Sequence, residues 1–367
     1  MKPDCPILQV LDAARWAPSG DNAQAWRFEY RDAHHAIIHA FDTRETVVYD
    51  MDGRPSQIAL GALLETAHIA AAELGYRVEE QWPESPDTAQ ALRLGLRLHP
   101  DAALSPNPLY ASIRQRTVQR RPLQTRPLTA DEKHALQAAA GQDWQLVWLE
   151  GRQRKTVARL LWRNALIRLT MPEAYPVHRE IIEWGTQFSE DRIPDQAIGM
   201  DPLGLRLMRW ALASWQRVRF LNRYLAGTWL PRLQLDWLPA LKCAAHFALL
   251  AKHPPQGLMD HVNAGRALQR FWLTADQLGL QVQPEMTPLI FSWYVRSGRP
   301  ASQDVTIGVR MQQLQQQLQT LLGEDPLARA AYFGRIGAGP RAKARSLRRP
   351  LSALMLAGAP NEPGSAH

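Results

Sequence analysis

Hydrophobic and polar residues recur with two different periods along this chain, and they predict a mixture of helices and strands. Apolar residues three or four positions apart predict long helices at 57–74, 154–169, 263–278 and 309–322. Alternating or short apolar runs predict strands at 26–30, 36–41, 76–82, 91–98, 144–149, 243–250 and 289–295. Further helices are expected at 109–120, at 177–188 and from near Thr129, where two acidic residues favour the positive end of a helix dipole.

One helix–strand unit occurs twice in the sequence. Gly61 and Gly75 stand 14 residues apart, and so do Gly265 and Gly279, at an offset of 204 residues. In both copies an apolar helix lies between the glycines, and a strand-like segment follows the second glycine. A repeat of this length indicates a duplicated domain rather than a solenoid of short repeats.

The composition is typical of a globular protein with an excess of basic residues. The 43 lysines and arginines outnumber the 35 acidic residues, which gives a formal net charge of +8. The arginines are dispersed along the chain, which favours general surface charge over a nucleic-acid groove. The two distant cysteines form neither a disulfide framework nor a zinc site, and they fit a reducing compartment. No signal peptide and no spanning helix of about 18 apolar residues are visible, so we expect a cytoplasmic protein.

Residues 200–238 combine leucine, tryptophan and arginine with rough helical spacing. A basic amphipathic segment of this kind can cover a pocket or lie on a membrane surface. Three interpretations stay open at this point. The segment is a helical lid on its own domain, a contact with a second copy of the chain, or a contact with a membrane surface.

A polar turn near the start of the chain is the first candidate for a ligand contact. An apolar helical run ends before Pro18, and Ser19-Gly20-Asp21-Asn22 then leads into the strand at 26–30. Gly20 accepts backbone angles that other residues avoid, and the Asn22 side chain can bond within its own turn. The turn is either a helix stop with a hairpin-like exit or a polar elbow that contacts a flat polar ligand.

Four stretches resemble motifs of the nitroreductase superfamily. The first is the elbow, which reads Ala-Arg-Trp-Ala-Pro-Ser-x-x-Asn-x-Gln-x-Trp at 14–26. The others lie at 114–120, at 265–287 and at 335–351, and the resemblance covers roughly residues 7–355. In the second, Thr117 stands where the family has serine, and one extra residue separates the arginines. That departure leaves open whether Arg120 or Arg121 meets the ligand. The arrangement is similar to the single-chain, duplicated branch of Acg-like and MoeY-like sequences.

This resemblance implies an α+β nitroreductase-like fold in which two tandem halves form an intramolecular pseudo-dimer. The first half is expected at 1–105, and the second at 106–355 with the insertion at about 200–238. A disordered tail is expected at 356–367. The elbow at 18–22 has no arginine motif before it, and the motif at 114–120 has no elbow after it. One complete FMN site is therefore expected between the halves.

The resemblance also implies which residues contact FMN. The elbow would contact the flavin ring, the basic residues would reach the phosphate and ribityl chain, and 283–287 would meet the flavin edge. The expected contacts are Pro18, Ser19, Gly20, Asn22, Gln24, Arg114, Arg116, Thr117, Arg120, Pro284, Glu285, Met286, Arg348 and Arg349. The flavin itself carries hydride chemistry, so neither a catalytic side chain nor a metal is expected.

Three functions fit this set of motifs. An oxidoreductase would pass hydride from NAD(P)H through FMN to an electron-poor small molecule. An FMN-binding protein would instead sequester the cofactor beneath the insertion with little turnover. A redox tailoring step in cofactor or natural-product biosynthesis is the third. The expected partner is a small molecule and not a nucleic acid, and the chain is either a monomer or a homodimer.

Overall fold

The computed structural model of the protein describes residues 5–84 and 92–356. Two four-stranded antiparallel sheets with helices packed against them form an α+β fold. The first part of the chain forms α1 (Pro6–Ala14), β1 (Trp26–Asp32), β2 (His35–Ala40), α2 (Arg54–Glu73), β3 (Tyr76–Gln81) and β4 (Leu92–Pro100). Its four strands form the first sheet, in the order β1-β2-β4-β3.

The second sheet is assembled from a longer stretch of chain. After α3 (Ala130–Ala140) and β5 (Trp144–Leu149) come α4 (Gln153–Thr170), α5 (Ala174–Glu180), β6 (Ile182–Glu183), β7 (Phe188–Ser189), β8 (Ile193–Pro194), α6 (Pro202–Leu212), α7 (Trp215–Tyr224), α8 (Trp229–Pro231) and α9 (Leu238–Leu241). Then follow β9 (Ala245–Ala251), α10 (Leu258–Gln277), β10 (Leu280–Pro284), α11 (Thr287–Arg296), α12 (Val305–Leu322), α13 (Glu324–Arg329), β11 (Ala330–Ala338), β12 (Arg345–Ser346) and α14 (Leu351–Leu354).

Both sheets follow one connection pattern. In the second sheet the order is β5-β9-β11-β10, so in each sheet the first strand pairs with the second, the second with the fourth and the fourth with the third. In each sheet a long helix, α2 or α10, connects the second strand to the third. These two helices are the ones that carry the repeated glycine spacing.

The helices α2 and α10 pack directly against each other at two glycines. A Cβ atom built on Gly61 would lie 1.8 Å from the carbonyl oxygen of Val262, and one built on Gly265 would lie 1.9 Å from that of Ile58. Glycine is therefore required at both positions, because any larger residue would push the helices apart. The close approach joins the apolar core beneath the first sheet to the core beneath the second.

The segment after β11 returns to the first sheet. Arg348 Nε donates to the carbonyl oxygen of Ala17 at 3.0 Å. Further on, Met355 pairs with Phe28 on β1, and the Leu356 amide donates to the Phe28 carbonyl at 2.8 Å. This segment, residues 345–356, is called the C-terminal strap below. Of the tail predicted at 356–367, only Leu356 belongs to the described residues.

The prediction of a helix at 109–120 is wrong. A short 3₁₀ turn, Pro108–Ser112, is followed by irregular chain up to α3. Val118 pairs with Val282 on β10, and the Gln119 amide donates to the Val282 carbonyl at 3.3 Å. The β-branched pair Thr117 and Val118 favours this extended course, and bonds to the sheet replace those of a helix.

Two other predicted elements differ from the structure. The apolar run at 289–295 forms helix α11 rather than a strand, since a short apolar run does not by itself distinguish the two. The helix expected at 177–188 ends at Glu180, and the chain then forms the short strands β6 and β7. The helix expected near Thr129 is confirmed: the Thr129 side chain and Glu132 form a capping box at the start of α3.

The insertion at 200–238 folds into several helices rather than one. Asp201 caps α6, Ser214 caps α7, and a π-helical turn, Arg232–Trp237, leads into α9. The Arg232 guanidinium lies 3.9 Å from the centre of the Trp162 ring on α4. This cation–π contact attaches the end of the insertion to α4. Among residues 5–84 and 92–356, no helix is both long enough and apolar enough to cross a bilayer.

Candidate functional site

A single large cavity collects most of the sequence-predicted ligand contacts. Its volume is about 1090 Å³. The elbow at 18–23 forms one wall, and residues 116–120, 283–287 and 345–349 form others. The inner side of the insertion covers the cavity with apolar side chains: Leu207, Met208, Ala211, Leu212, Val218, Leu221, Leu230 and Leu235.

The elbow is held in an unusual backbone conformation by its own side chains. Asp21, Asn22 and Gln24 all have positive φ angles, of 51°, 62° and 49°. Ser19 Oγ accepts a hydrogen bond from the Gln24 amide at 3.0 Å, which closes the turn. The Asn22 side chain donates to the carbonyl of Glu190 at 3.1 Å. Strained backbone held this firmly is typical of a site that must present polar atoms in a fixed arrangement.

Gln24 supports the elbow rather than lining the cavity. It is fully buried and lies outside the cavity wall. Its Nε2 donates to the Glu190 carbonyl at 2.9 Å, and its Oε1 accepts from the Arg349 amide at 2.9 Å. The expected ligand contact at Gln24 is therefore replaced by a positioning role, because both ends of the side chain are already bonded within the protein.

Three arginines converge beside the elbow. Arg116, Arg345 and Arg348 line the cavity, and within the described ranges none of them forms a salt bridge. The charge of Asp276 acts on Arg116 and Arg345 from beyond salt-bridge distance, and Asp276 is itself paired with Arg341. Arg116 Nη2 donates to the Trp16 carbonyl at 3.1 Å, and its guanidinium lies 4.5 Å from the centre of the Trp272 ring. The name "arginine cluster" is used for these three side chains from here on.

The electrostatics of the arginine cluster favour an anion. Burial, followed by the charge of Arg345, lowers the pKa of Arg116 to about 10. Burial and the neighbouring Arg116 and Arg345 also lower the pKa of Arg348. Buried cations that repel one another are costly unless an opposite charge joins them. A phosphate dianion meets that demand with charge-assisted hydrogen bonds.

The other arginines of the predicted motif do not belong to the arginine cluster. Arg114 is exposed, forms a salt bridge with Asp12, and does not line the cavity, so the expectation that it contacts the ligand is not supported by its placement. Arg120 lines the cavity, whereas Arg121 is exposed and does not. The Arg120 pKa is lowered to about 10 by burial, against the opposing charge of Asp21. Arg120 Nη1 donates to the Ala197 carbonyl at 3.4 Å, and the charges that act on it are those of Asp21 and Arg335 rather than of the arginine cluster.

The segment 283–287 brings a buried charge network to the cavity wall. Glu285 Oε2 lies 2.7 Å from Nδ1 of His246, and Nε2 of the same ring lies 3.0 Å from the Ala240 carbonyl oxygen. Both ring nitrogens face acceptors, so both carry a proton. Burial opposes this charge, but Glu285 and Cys243 together outweigh burial, and the His246 pKa rises to about 10. Arg335 Nε, 3.5 Å from Glu285 Oε1, adds a second cation.

The backbone of this segment is only partly available to a ligand. The Glu285 amide donates to the Phe333 carbonyl at 2.9 Å, and the Met286 sulfur accepts from the Phe333 amide at 3.4 Å. Pro284 has no amide hydrogen. Pro284, Glu285 and Met286 all line the cavity, but the Glu285 amide is already bonded and the carbonyl groups of Pro284 and Met286 accept bonds from Gln283 Nε2 and the Ile290 amide.

A second polar group lies in the cavity beneath the insertion, and sequence reasoning did not identify it. Arg168 and Asp236 form a salt bridge of 2.7 Å, and Tyr49 Oη lies 2.9 Å from His178 Nε2. Burial, followed by the charge of Arg168, lowers the His178 pKa to about 3, so this ring is neutral. These residues belong to no recognisable motif, since they come from separate helices and a loop that only the fold brings together.

Several buried polar atoms on the cavity wall have no hydrogen-bond partner within the described part of the chain. They are Asn22 Oδ1, Arg116 Nε, Thr117 Oγ1, Asn164 Oδ1, Gln283 Oε1, Tyr332 Oη and Arg345 Nε. Unpaired groups in such number are uncommon in a folded protein, because each costs desolvation energy. Their concentration around one cavity indicates that a polar ligand completes their bonding. Among residues 5–84 and 92–356, no cluster of three potential metal ligands is present.

Comparison with known proteins gives distant similarities. No family model matches the sequence. The chain is 28% identical over 290 residues to the uncharacterized protein MT1398 of Mycobacterium tuberculosis (strain CDC 1551 / Oshkosh), and the match covers 76% of this chain but only 38% of that protein. The solved structure of a nitroreductase-like family protein from Bacillus cereus aligns with a TM-score of 0.34 at 12% identity, over 70% of this chain and 98% of that one.

Proposed function

We propose that the cavity binds FMN and that the protein is a flavin-dependent oxidoreductase of the nitroreductase superfamily. The observation that carries the proposal is the arginine cluster, which lies beside a polar elbow and is surrounded by unpaired polar atoms. A phosphate group needs several cations in one place, and a flavin ring needs donors and acceptors at fixed positions. The cavity supplies both on adjoining walls.

The tandem arrangement of the two sheets supports the proposal. We interpret the shared strand order and the reciprocal contact of Gly61 with α10 and of Gly265 with α2 as an intramolecular pseudo-dimer. In this interpretation the elbow belongs to the first half and Thr117 to the connection into the second. The chain would then hold one composite FMN site at the junction.

Each side chain has a defined role in this proposal. Arg116, Arg345 and Arg348 would hold the phosphate, while Asn22 and Thr117 would supply hydrogen bonds to the polar edge of the ligand. The Glu285–His246 pair and Arg335 keep net positive charge beneath the cavity wall, which favours an electron-rich ligand. FMN, when bound, supplies the hydride chemistry between NAD(P)H and an electron-poor acceptor. The apolar inner side of the insertion would exclude water from that reaction.

The absorbance spectrum of the purified protein tests the proposal directly. We expect a flavin spectrum with about one FMN per chain after reconstitution. Arg116→Gln should retain much less FMN, and Arg114→Gln, which changes an exposed arginine outside the cavity, should retain as much as the wild type. A ratio near two, or equal retention by both variants, would contradict the composite site. Anaerobic mixing with NADH and with NADPH should bleach the flavin with at least one of them.

The insertion favours a second candidate function. Its apolar side chains cover the cavity, so FMN could be sequestered with little turnover. The two functions differ in one measurement, because a sequestering protein would bind FMN tightly without being bleached by either nicotinamide nucleotide.

A further inference from the structure

The insertion presents apolar side chains on two sides, and only one of them faces the cavity. On α6, Gly204, Met208 and Ala211 line the cavity at helical spacing. In the adjacent stripe, one residue earlier, Leu203 and Trp210 lie outside the cavity wall and are 74% and 46% exposed, and Leu207 between them also borders the cavity while 46% of its surface stays exposed. A helix with apolar residues on both sides normally has a partner on each.

The same exposure continues along α7 and beyond it. Phe220 and Tyr224 stand one helical turn apart with 52% and 63% of their surface exposed, and Leu225 and Trp229 are each 62% exposed. Among the residues that the structure describes, nine of the seventeen large exposed hydrophobic side chains lie between 203 and 238. Such a concentration is a patch rather than scattered surface, and patches of this kind mark interaction sites.

The patch is surrounded by unpaired positive charge. The exposed arginines are Arg206, Arg209, Arg217, Arg219 and Arg223, and within residues 5–84 and 92–356 none of them forms a salt bridge. Arg217 lies 4.9 Å from the Trp210 ring and Arg223 lies 5.5 Å from the Tyr224 ring. The acidic residues of 200–238 are Asp201, which caps α6, and Asp236, which is paired with Arg168.

Exposed aromatic side chains beside exposed arginines favour one kind of partner. Tryptophan, tyrosine and arginine prefer the boundary between lipid headgroups and acyl chains, and arginine is attracted to anionic headgroups. A second copy of the chain fits less well, because a two-fold contact would bring the five arginines of each copy into one interface. We propose that the outer face of α6 and α7 docks the protein on an anionic lipid surface.

Vesicle sedimentation tests the proposal on the full chain. We expect binding to vesicles of phosphatidylglycerol mixed with phosphatidylcholine and much weaker binding to pure phosphatidylcholine, with salt reducing the difference. Arg209→Gln combined with Arg219→Gln should lower the partition coefficient about tenfold or more, because each arginine near an anionic surface contributes about 1 kcal/mol. Trp210→Ser combined with Phe220→Ser should weaken binding to the mixed vesicles by removing the inserted side chains.

A matched control removes apolar surface elsewhere. Val305 and Val309 on α12 are 80% and 47% exposed, so Val305→Ser combined with Val309→Ser should bind like the wild type. Equal binding to both vesicle types, no binding to either, or an equal loss in the control would overturn the proposal. A wild-type dimer that Trp210→Ser with Phe220→Ser dissociates would overturn it too, in favour of a second copy. The readout does not depend on FMN, so this proposal and the proposed function fail separately.

Discussion

Gly61 and Gly265 face each other across the contact of α2 and α10. Each glycine lies against the carbonyl group of the residue three positions before the other glycine. The relationship is reciprocal, since Gly61 meets Val262 and Gly265 meets Ile58. We expect Gly61→Ala and Gly265→Ala each to lower the free energy of unfolding by about 3 kcal/mol or more, because the helices cannot part without disturbing two cores. Urea unfolding measures the loss.

Another helical glycine provides the control for this prediction. Nothing lies within 4 Å of a Cβ atom built on Gly308 in α12. Gly308→Ala should therefore raise the free energy of unfolding by about 0.5–1 kcal/mol through its helix propensity alone. If all three variants behaved alike, the close approach of α2 and α10 would not contribute to stability.

The arginine cluster should make the stability of the protein depend on phosphate. Without an anion, Arg116 and Arg348 repel each other in a buried setting, and a bound anion removes that cost. Phosphate at a hundredfold excess over its Kd should stabilise the wild type by about 2.7 kcal/mol relative to chloride at equal ionic strength. Arg348→Gln should lose most of this gain, whatever its melting temperature in chloride, where relief of the repulsion is offset by loss of the bond to Ala17. Thermal melting followed by circular dichroism checks both results, and an unchanged phosphate effect would contradict the anion site.

His246 should make the protein lose stability as the pH rises. Its folded pKa, about 10, lies above the ordinary value of 6.5. A histidine whose pKa is raised on folding stabilises the native state fully below its unfolded pKa, and this contribution disappears as the pH rises through the folded pKa. The free energy of unfolding should therefore fall between about pH 6.5 and pH 10. In His246→Gln, this part of the profile should be flatter, as measured by urea unfolding at several pH values.

Removing the outer helices of the insertion should open the cavity. In the test variant, a short glycine–serine linker replaces residues 203–226. This change retains the contact of Arg232 with the Trp162 ring and the salt bridge between Asp236 and Arg168. We expect severalfold faster FMN release, measured by the recovery of flavin fluorescence, and faster reduction of menadione. Trp210→Ser, which changes a side chain outside the cavity wall, should leave both rates unchanged. Identical rates in the deletion variant would show that α6 and α7 do not limit access.

The sequence predicted features that depend on a specific residue type better than features that depend only on an apolar run. The glycine spacing of α2 and α10 was visible because a close helix contact admits few other residues. The elbow, Arg116, Thr117 and the segment 284–286 also meet in one cavity as their motifs suggested.

Other residues could not be placed from the sequence alone. Arg116 opens the motif and Arg114 stands just before it, and both were expected to contact the ligand, but only the fold shows that Arg114 pairs with Asp12 while Arg116 lines the cavity. Arg345, Tyr49 and Arg168 reach the cavity from distant segments without any local pattern. The run at 289–295 was misassigned because burial on all sides removes the periodicity that separates helix from strand.

The C-terminal strap has a consequence for the order of events during synthesis. Arg348 donates a hydrogen bond to the Ala17 carbonyl, and Arg345 and Arg348 join Arg116 to form the arginine cluster. A ribosome makes the elbow first and these two arginines among the last residues of the described chain. A growing chain that already holds its first sheet therefore still lacks two of three cations. The cavity therefore holds its full set of three cations only once the strap has been made and has closed on the elbow, so the first sheet can form before the anion site is complete.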